Sequence, residues 1–182
     1  MIMADFEIVI AGFGGQGVLF SGKVLSYAGL LEERNLSWLP SYGPEMRGGT
    51  ANCNVILSDD PVGSPIVQHP NVLIVMNTPS LEKYEPTVAS GGSVFVDSTL
   101  ITRPVERKDV TVYYVPASKM ALDMGFPGLA NMVLLGAVIR RTACISEDGL
   151  ADALKHVIPA RKADLFDANM AALKAGMEYQ GS

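Results

Sequence analysis

Thiols and imidazoles are scarce in this sequence: its 182 residues hold two cysteines and two histidines. Cys53 and Cys144 cannot build a disulfide framework, and alone they fall short of the four thiolates that an iron–sulfur cluster takes. His69, ahead of Pro70, and His156, late in a helical stretch, are too isolated for a zinc site or a catalytic triad. No G-x-S-x-G elbow is present, so acyl hydrolysis lacks a nucleophile motif. Charge is sparse as well, at 18% of residues, with a net of −5 and a pI near 5.0. Without a basic excess the chain lacks the electrostatic footprint of a nucleic-acid binder or of a protein held on an anionic membrane. The longest apolar run, within Leu129–Ile139, is too short to span a bilayer, and Met1–Asp5 carries no basic leader, so a cytoplasmic location is expected.

What is abundant is apolar surface. Hydrophobic residues make up 48% of the chain and mean hydropathy is +0.25, which excludes disorder as the main state. The length suits one compact domain over residues 1–182. The acidity is uneven: residues 1–91 carry four Lys/Arg against nine Asp/Glu, while residues 92–182 carry ten of each. A solvated acidic face is the simplest account.

Phe6–Ala11 is a short β-branched run that ends in Gly12-Phe13-Gly14-Gly15-Gln16-Gly17, after which Val24, Leu25, Ala28 and Leu31 recur on one helical face. Strand, glycine loop and helix follow in order. Further strands are expected at Leu36–Leu39, Ala51–Leu57, Val72–Met76, Val94–Val96 and Val110–Val115. Most are continuous apolar runs, which suit a parallel sheet covered on both faces. Thr78-Pro79 reads as an N-cap with proline at the first helical position. Leu129, Met132 to Leu135, Val138 and Ile139 leave almost no polar face, so that helix must be buried, within the domain or against a partner. Two amphipathic helices close the chain, one with Leu150, Leu154 and Val157, the other with Phe166, Met170, Leu173 and Met177. The expected fold is therefore α/β: a three-layer, Rossmann-like domain with a mostly parallel sheet and the glycine loop at the carboxyl end of its first strand.

Gly12, Gly14 and Gly17 satisfy G-x-G-x-x-G between a strand and a helix, where amides and the positive helix end favour an anion. The same glycines also suit a tight turn with close helix–sheet packing and no ligand. A nicotinamide dinucleotide is disfavoured, because Leu36–Ser41 supplies no carboxylate for the ribose hydroxyls. Gly17–Lys23 reads G-x-x-x-x-G-K, and Asp97 follows a strand as a magnesium-binding carboxylate would. Yet Val24 has no hydroxyl for the metal, and the stretch lies inside the helix rather than in the loop. In Ser41–Thr50, Gly43-Pro44 and Gly48-Gly49 bracket a loop that presents Glu45 and Arg47. Arg47 offers a planar fork to a carboxylate or phosphate, and Glu45 accepts from a donor. Alternatively, both tie the loop to backbone groups or to a neighbouring subunit.

The conjunction of Gly12–Gly17, Ser41-Tyr42-Gly43-Pro44-Glu45-Met46-Arg47-Gly48-Gly49, and Ala130-Asn131-Met132 ahead of Leu135-Gly136-Ala137 resembles the gamma subunit of 2-oxoacid:ferredoxin oxidoreductases, the pyruvate/ketoisovalerate oxidoreductase gamma family. The resemblance runs through the late helix with Asn169 and Gly176, and is greatest to the 2-oxoglutarate branch. It implies a complex that decarboxylates a 2-oxo acid on thiamine pyrophosphate with Mg, passes two electrons through [4Fe-4S] clusters to ferredoxin, and transfers the acyl group to coenzyme A. Its partners would be alpha, beta and delta subunits, with the thiamine site on alpha and beta and the clusters on beta and delta. No cofactor, metal or catalytic residue would belong to this chain. Its expected work is assembly and help with coenzyme A, whose phosphates would meet Gly12, Gly14, Gly15, Gln16, Gly17, Glu45, Arg47, Gly48 and Gly49, unless those residues are subunit contacts. The rival readings are an autonomous NAD- or ATP-binding α/β enzyme and a purely structural subunit.

Overall fold

The computed structural model describes residues 5–42 and 50–181. Its strands are β1 (Phe6–Phe13), β2 (Asn35–Tyr42), β3 (Thr50–Ser58), β4 (Val72–Val75), β5 (Ser93–Asp97) and β6 (Thr111–Val115). Its helices are α1 (Val18–Leu31), α2 (Thr78–Tyr84), α3 (Ala117–Asp123), α4 (Ala130–Thr142), α5 (Glu147–Val157) and α6 (Leu165–Glu178).

All six strands join one sheet in the order β2-β3-β1-β4-β5-β6. β1, β4, β5 and β6 run parallel, as their short apolar runs imply. β3 runs antiparallel to β1, and β2 antiparallel to β3, so one flank of the sheet is a hairpin rather than a continuation of the parallel array. The signal for this is local: Ala51, Cys53 and Val55 are buried while Asn52 and Asn54 between them are half-buried, the alternation of a strand with two unequal faces.

Alternation within β1 divides the core. Ile8 and Ile10 face a large cluster under α1, α4, α5 and α6. Val9 and Ala11 face a smaller cluster with Leu81 of α2 and with Val88, Ile101 and Val105. The third layer is thus thin, made of α2 and irregular chain. Glu85 ties that chain down: its carboxylate accepts from the Arg103 guanidinium at 2.6 Å and from the amides of Glu106 and Arg107.

Three details depart from the sequence reading. The α2 cap is Asn77, whose Oδ1 accepts from the Ser80 amide at 2.8 Å, one residue ahead of Thr78. Leu31 is 43% exposed, outside the face formed by Val24, Leu25 and Ala28. The face α6 buries is centred on Ala168, Asn169, Ala172, Leu173 and Gly176 rather than on Phe166, Met170 and Met177. Small residues there let α6 approach α4: a Cβ on Gly176 would fall on the Val133 carbonyl, and one on Gly136 on the Leu173 carbonyl. α4 is buried from Ala130 to Ile139 by the chain's own elements, so its apolar surface is satisfied within the domain.

Candidate functional site

β1 sends the chain through α1 toward the hairpin, while β4 sends it through α2 toward β5 and β6. The carboxyl ends of β1 and β4 therefore flank a topological switch point, where α/β sheets place ligands. The glycine loop sits there.

β1 runs through Gly12 and Phe13, which pair with Ala51 and Thr50, so the turn proper is Gly14–Gly17. A Cβ on Gly12 would meet Gln16 Oε1 at 2.6 Å and Met76 Cβ at 3.1 Å. The space is needed because the Gln16 side chain folds back into it. Gln16 Oε1 accepts from the Phe13 amide at 2.6 Å and its Nε2 donates to the Met76 carbonyl at 3.0 Å, fastening the loop to the end of β4. Gly15 and Gly17 are left-handed, with φ of 95° and 76°, the backbone region that glycine alone enters freely. Gly17 also lies under Asn131 of α4, whose Nδ2 donates to the Gly17 carbonyl at 3.1 Å and to Ser21 Oγ at 3.0 Å.

Gly12 and Gly17 thus serve packing, and both ends of the Gln16 carboxamide are engaged inside the loop. What faces outward is the start of α1. Its cap residue is Gly17, which has no side chain to offer the first amides, at the positive end of a 14-residue helix. Two clefts adjoin this end. One, of about 260 Å³, is lined by Phe13, Gly14, Gly15, Leu19 and Ala51. The other, of about 400 Å³, includes Lys23, Asn131, Lys162, Leu165 and Asn169, and Gly15, Gly17 and Phe20 border both.

Glu45, Arg47, Gly48 and Gly49 lie outside the described residues. Of the described residues that flank them, Thr50 pairs with Phe13 at the glycine loop, while Tyr42 pairs with Ala51 one strand farther out. Lys23, Asn131, Lys162 and Asn169 join the site only through the fold. The signal for two of them was an asparagine within a helix that has hardly any polar face, or on the buried side of another.

The rival nucleotide patterns dissolve into the architecture. Lys23 lies in the second turn of α1 and is exposed. Asp97 is fully buried and accepts from Ser118 Oγ at 2.6 Å and the Thr99 amide at 3.1 Å, fixing the entry to α3. β2 is an edge strand; the neighbour of β1 on the switch-point side is β4, and two residues beyond its end stands Asn77, a helix cap rather than a carboxylate. The thiols are inert: burial pushes Cys53 up to about 12 and raises Cys144 as well. Among the described residues no cluster of His, Cys, Asp or Glu is arranged to hold a metal, and no helix is long and apolar enough to cross a membrane.

The sequence pattern described as "Pyruvate ferredoxin/flavodoxin oxidoreductase" matches residues 7–179. The chain belongs to that family. Ketoisovalerate oxidoreductase subunit VorA of Methanothermobacter thermautotrophicus is 40% identical over 96% of this chain, which spans only 36% of that relative's length. The 2-oxoglutarate synthase subunit KorC of Methanocaldococcus jannaschii is 34% identical, the match covering 94% of this chain and 92% of KorC. Among solved structures, the keto/oxoacid ferredoxin oxidoreductase gamma subunit of Geobacter sulfurreducens superimposes with a TM-score of 0.81 at 27% identity, covering 95% of this chain and 96% of that one. The 2-oxoglutarate:ferredoxin oxidoreductase of Magnetococcus marinus, with 2-oxoglutarate, coenzyme A and succinyl-CoA bound, gives a TM-score of 0.86 at 25% identity over 94% of this chain and 30% of its own. The likeness to gamma subunits read from the motifs is borne out, and so is the α/β class of the fold.

Proposed function

We propose that this chain is the gamma subunit of a thiamine pyrophosphate-dependent 2-oxoacid:ferredoxin oxidoreductase that converts 2-oxoglutarate and coenzyme A to an acyl-CoA and CO2 while reducing ferredoxin. The observation that carries the reading is the match to KorC along nearly the whole of both chains, on a sequence whose own donors are too few for redox chemistry. Two cysteines, both buried, do not fit a [4Fe-4S] cluster, so electron transfer is assigned to other subunits, with thiamine pyrophosphate and Mg on alpha and beta. The gamma chain then completes the assembly with alpha, beta and delta subunits, and is inactive by itself.

Its contact with the reaction is through coenzyme A. The amides of Gly14, Gly15 and Gly17 and the start of α1, together with the Arg47 guanidinium, form an electropositive lip for the coenzyme's phosphates, the Gln16 amide being held by the Phe13 carbonyl. The α1 terminus, whose cap residue has no side chain, and the pairing of Thr50 with Phe13 support it. Coenzyme A affinity of the assembled complex tests this: Arg47→Ala should weaken it at least tenfold without loss of subunits. Unchanged affinity in an intact complex would leave the loop a structural element only.

A further inference from the structure

α1 is apolar on every side: Val18–Leu31 holds a single charged residue, Lys23. A helix of that composition belongs in an interior, and α4, nearly as apolar from Ala130 to Ile139, is buried over that span by the chain itself. α1 is not. Its last turn leaves Leu30 55% and Leu31 43% exposed, two adjacent leucines facing water.

The turn that follows breaks two further local preferences. The Arg34 amide donates to the Gly29 carbonyl and the Glu33 amide to the Leu30 carbonyl, the paired bonds of a helix stop whose left-handed residue is ordinarily glycine. Here that residue is Glu33, at φ 59°. Its carboxylate also stands at the negative end of the α1 dipole, where a cation is favoured, and it has no partner among the described residues. Exposed leucines, a strained backbone and an adverse charge thus meet within four residues without a compensating contact inside the chain. Local rules broken together in this way mark a surface that serves another molecule.

The charge around the leucines says what that molecule is. Arg34 is the only Lys or Arg described between Lys23 and Lys83, and its side chain is buried, with the guanidinium donating to the Cys144 and Leu57 carbonyls. Arg34 Nε lies 3.7 Å from the Asp59 carboxylate, and Asn35 Nδ2 donates to the Asp59 carbonyl at 2.9 Å, so Asp59 and Asp60 stand with Glu33 beside the end of α1. All three carboxylates are exposed. A second copy of the chain is a poor occupant, because a two-fold pairing of this face would set like charges against one another. An apolar surface edged with cations fits.

We propose that the end of α1, with Leu30 and Leu31 at the centre and Glu33, Asp59 and Asp60 at the rim, docks an amphipathic helix of a protein partner whose apolar stripe is flanked by Lys or Arg. The leucines supply the area removed from water, and the carboxylates select the sign of the partner and speed the encounter. Glu33 gains there the cation that its place at the helix end lacks. The surface lies at the other end of α1 from the glycine loop, about 20 Å away, and does not depend on the coenzyme A reading.

Fluorescence anisotropy of a labelled helical peptide built from the repeat Leu-Lys-Lys-Leu-Leu-Lys-Leu, titrated with the full chain, tests the assignment; the control peptide has Glu in place of Lys. The variants are Leu30→Ser/Leu31→Ser, Glu33→Gly and, as a remote control, Leu122→Ser, whose leucine is 63% exposed on α3. The lysine peptide should bind wild type at least tenfold more tightly than the glutamate peptide. It should lose at least tenfold in Leu30→Ser/Leu31→Ser and about threefold or more in Glu33→Gly, and be unaffected by Leu122→Ser. Glu33→Gly should at the same time raise the melting midpoint of the free chain, because it removes the left-handed strain and the adverse charge, so its lost affinity is not lost fold. Equal binding of the two peptides, no binding of the lysine peptide, unchanged affinity in either α1 variant, or an equal loss in Leu122→Ser would overturn the proposal. So would a lowered midpoint for Glu33→Gly, or sedimentation showing a dimer of the chain that Leu30→Ser/Leu31→Ser abolishes, which would give this face to a second copy.

Discussion

Asn131 donates from Nδ2 to the carbonyl of Gly17 at 3.1 Å, across 114 residues of sequence. The contact joins the fourth helix to the start of the first and holds the glycine loop from behind. It requires glycine: a Cβ at position 17 would stand 2.5 Å from that same nitrogen. The two positions should therefore be coupled. Gly17→Ala forces an alanine into a left-handed backbone and displaces Asn131, costing about 2–4 kcal/mol. Asn131→Ala removes two hydrogen bonds and also an unpartnered acceptor, costing about 1–2 kcal/mol. With the obstructing side chain gone, the double variant should cost less than the sum by about 1 kcal/mol or more. Urea unfolding of the four proteins checks this, and strict additivity would mean the contact is not what fixes the loop.

The α4–α6 interface yields a prediction whose sign opposes helix propensity. Replacing a mid-helix glycine by alanine ordinarily gains up to about 1 kcal/mol. At Gly136 and Gly176 the added methyl would strike the backbone carbonyl of the facing helix, which cannot rotate aside. Gly136→Ala and Gly176→Ala should each lose about 2–4 kcal/mol. Gly149, in α5, has its nearest neighbours at 3.8 Å, in ordinary contact, so Gly149→Ala should be neutral or stabilising by up to about 1 kcal/mol. Thermal melts of the three variants test the contrast, and a rise in midpoint for Gly176→Ala would refute the close approach.

The parts of this architecture written in local sequence were legible; those written in distant contacts were not. β1, β4 and β5 could be read from apolar runs of a few residues, and α4 from a helix with hardly any polar face. The strands of the β2–β3 hairpin were legible but their antiparallel sense was not, because Leu36–Leu39 has the form of a buried parallel strand and the alternation Ala51-Asn52-Cys53-Asn54-Val55 is short. The α2 cap fell one residue early because Asn77 and Thr78 are both good caps, and only geometry decides which oxygen reaches the Ser80 amide. The glycine loop was visible as a motif, but that Gly12 makes room for Gln16 and Gly17 for Asn131 depends on side chains the motif does not contain. Lys23, Asn131, Lys162 and Asn169 line one cleft only because α1, α4, α6 and the connection ahead of α6 converge. Periodicity along any one helix carries no trace of that.

The thin side of the sheet should show a distinctive acid sensitivity through Glu85. Burial alone would raise its pKa, but the Arg103 guanidinium and the amides of Arg107 and Glu106 outweigh burial and hold the carboxyl below its ordinary value. A carboxyl lowered in the folded state binds a proton less readily than in the unfolded chain. Its contribution is therefore complete above the unfolded value, near pH 4.3, and is lost as pH falls from there through the depressed folded value. Glu85→Gln keeps the shape but removes the charge facing Arg103, and its amide nitrogen confronts donors where an oxygen accepted. The variant should be less stable by about 2–4 kcal/mol at pH 7. The gap should hold down to about pH 5 and close at lower pH, as wild-type Glu85 itself takes up a proton. Denaturant unfolding of both proteins from pH 3 to pH 7 measures the gap. A difference that stays constant across that range would show that Glu85 anchors residues 98–110 by shape rather than by charge.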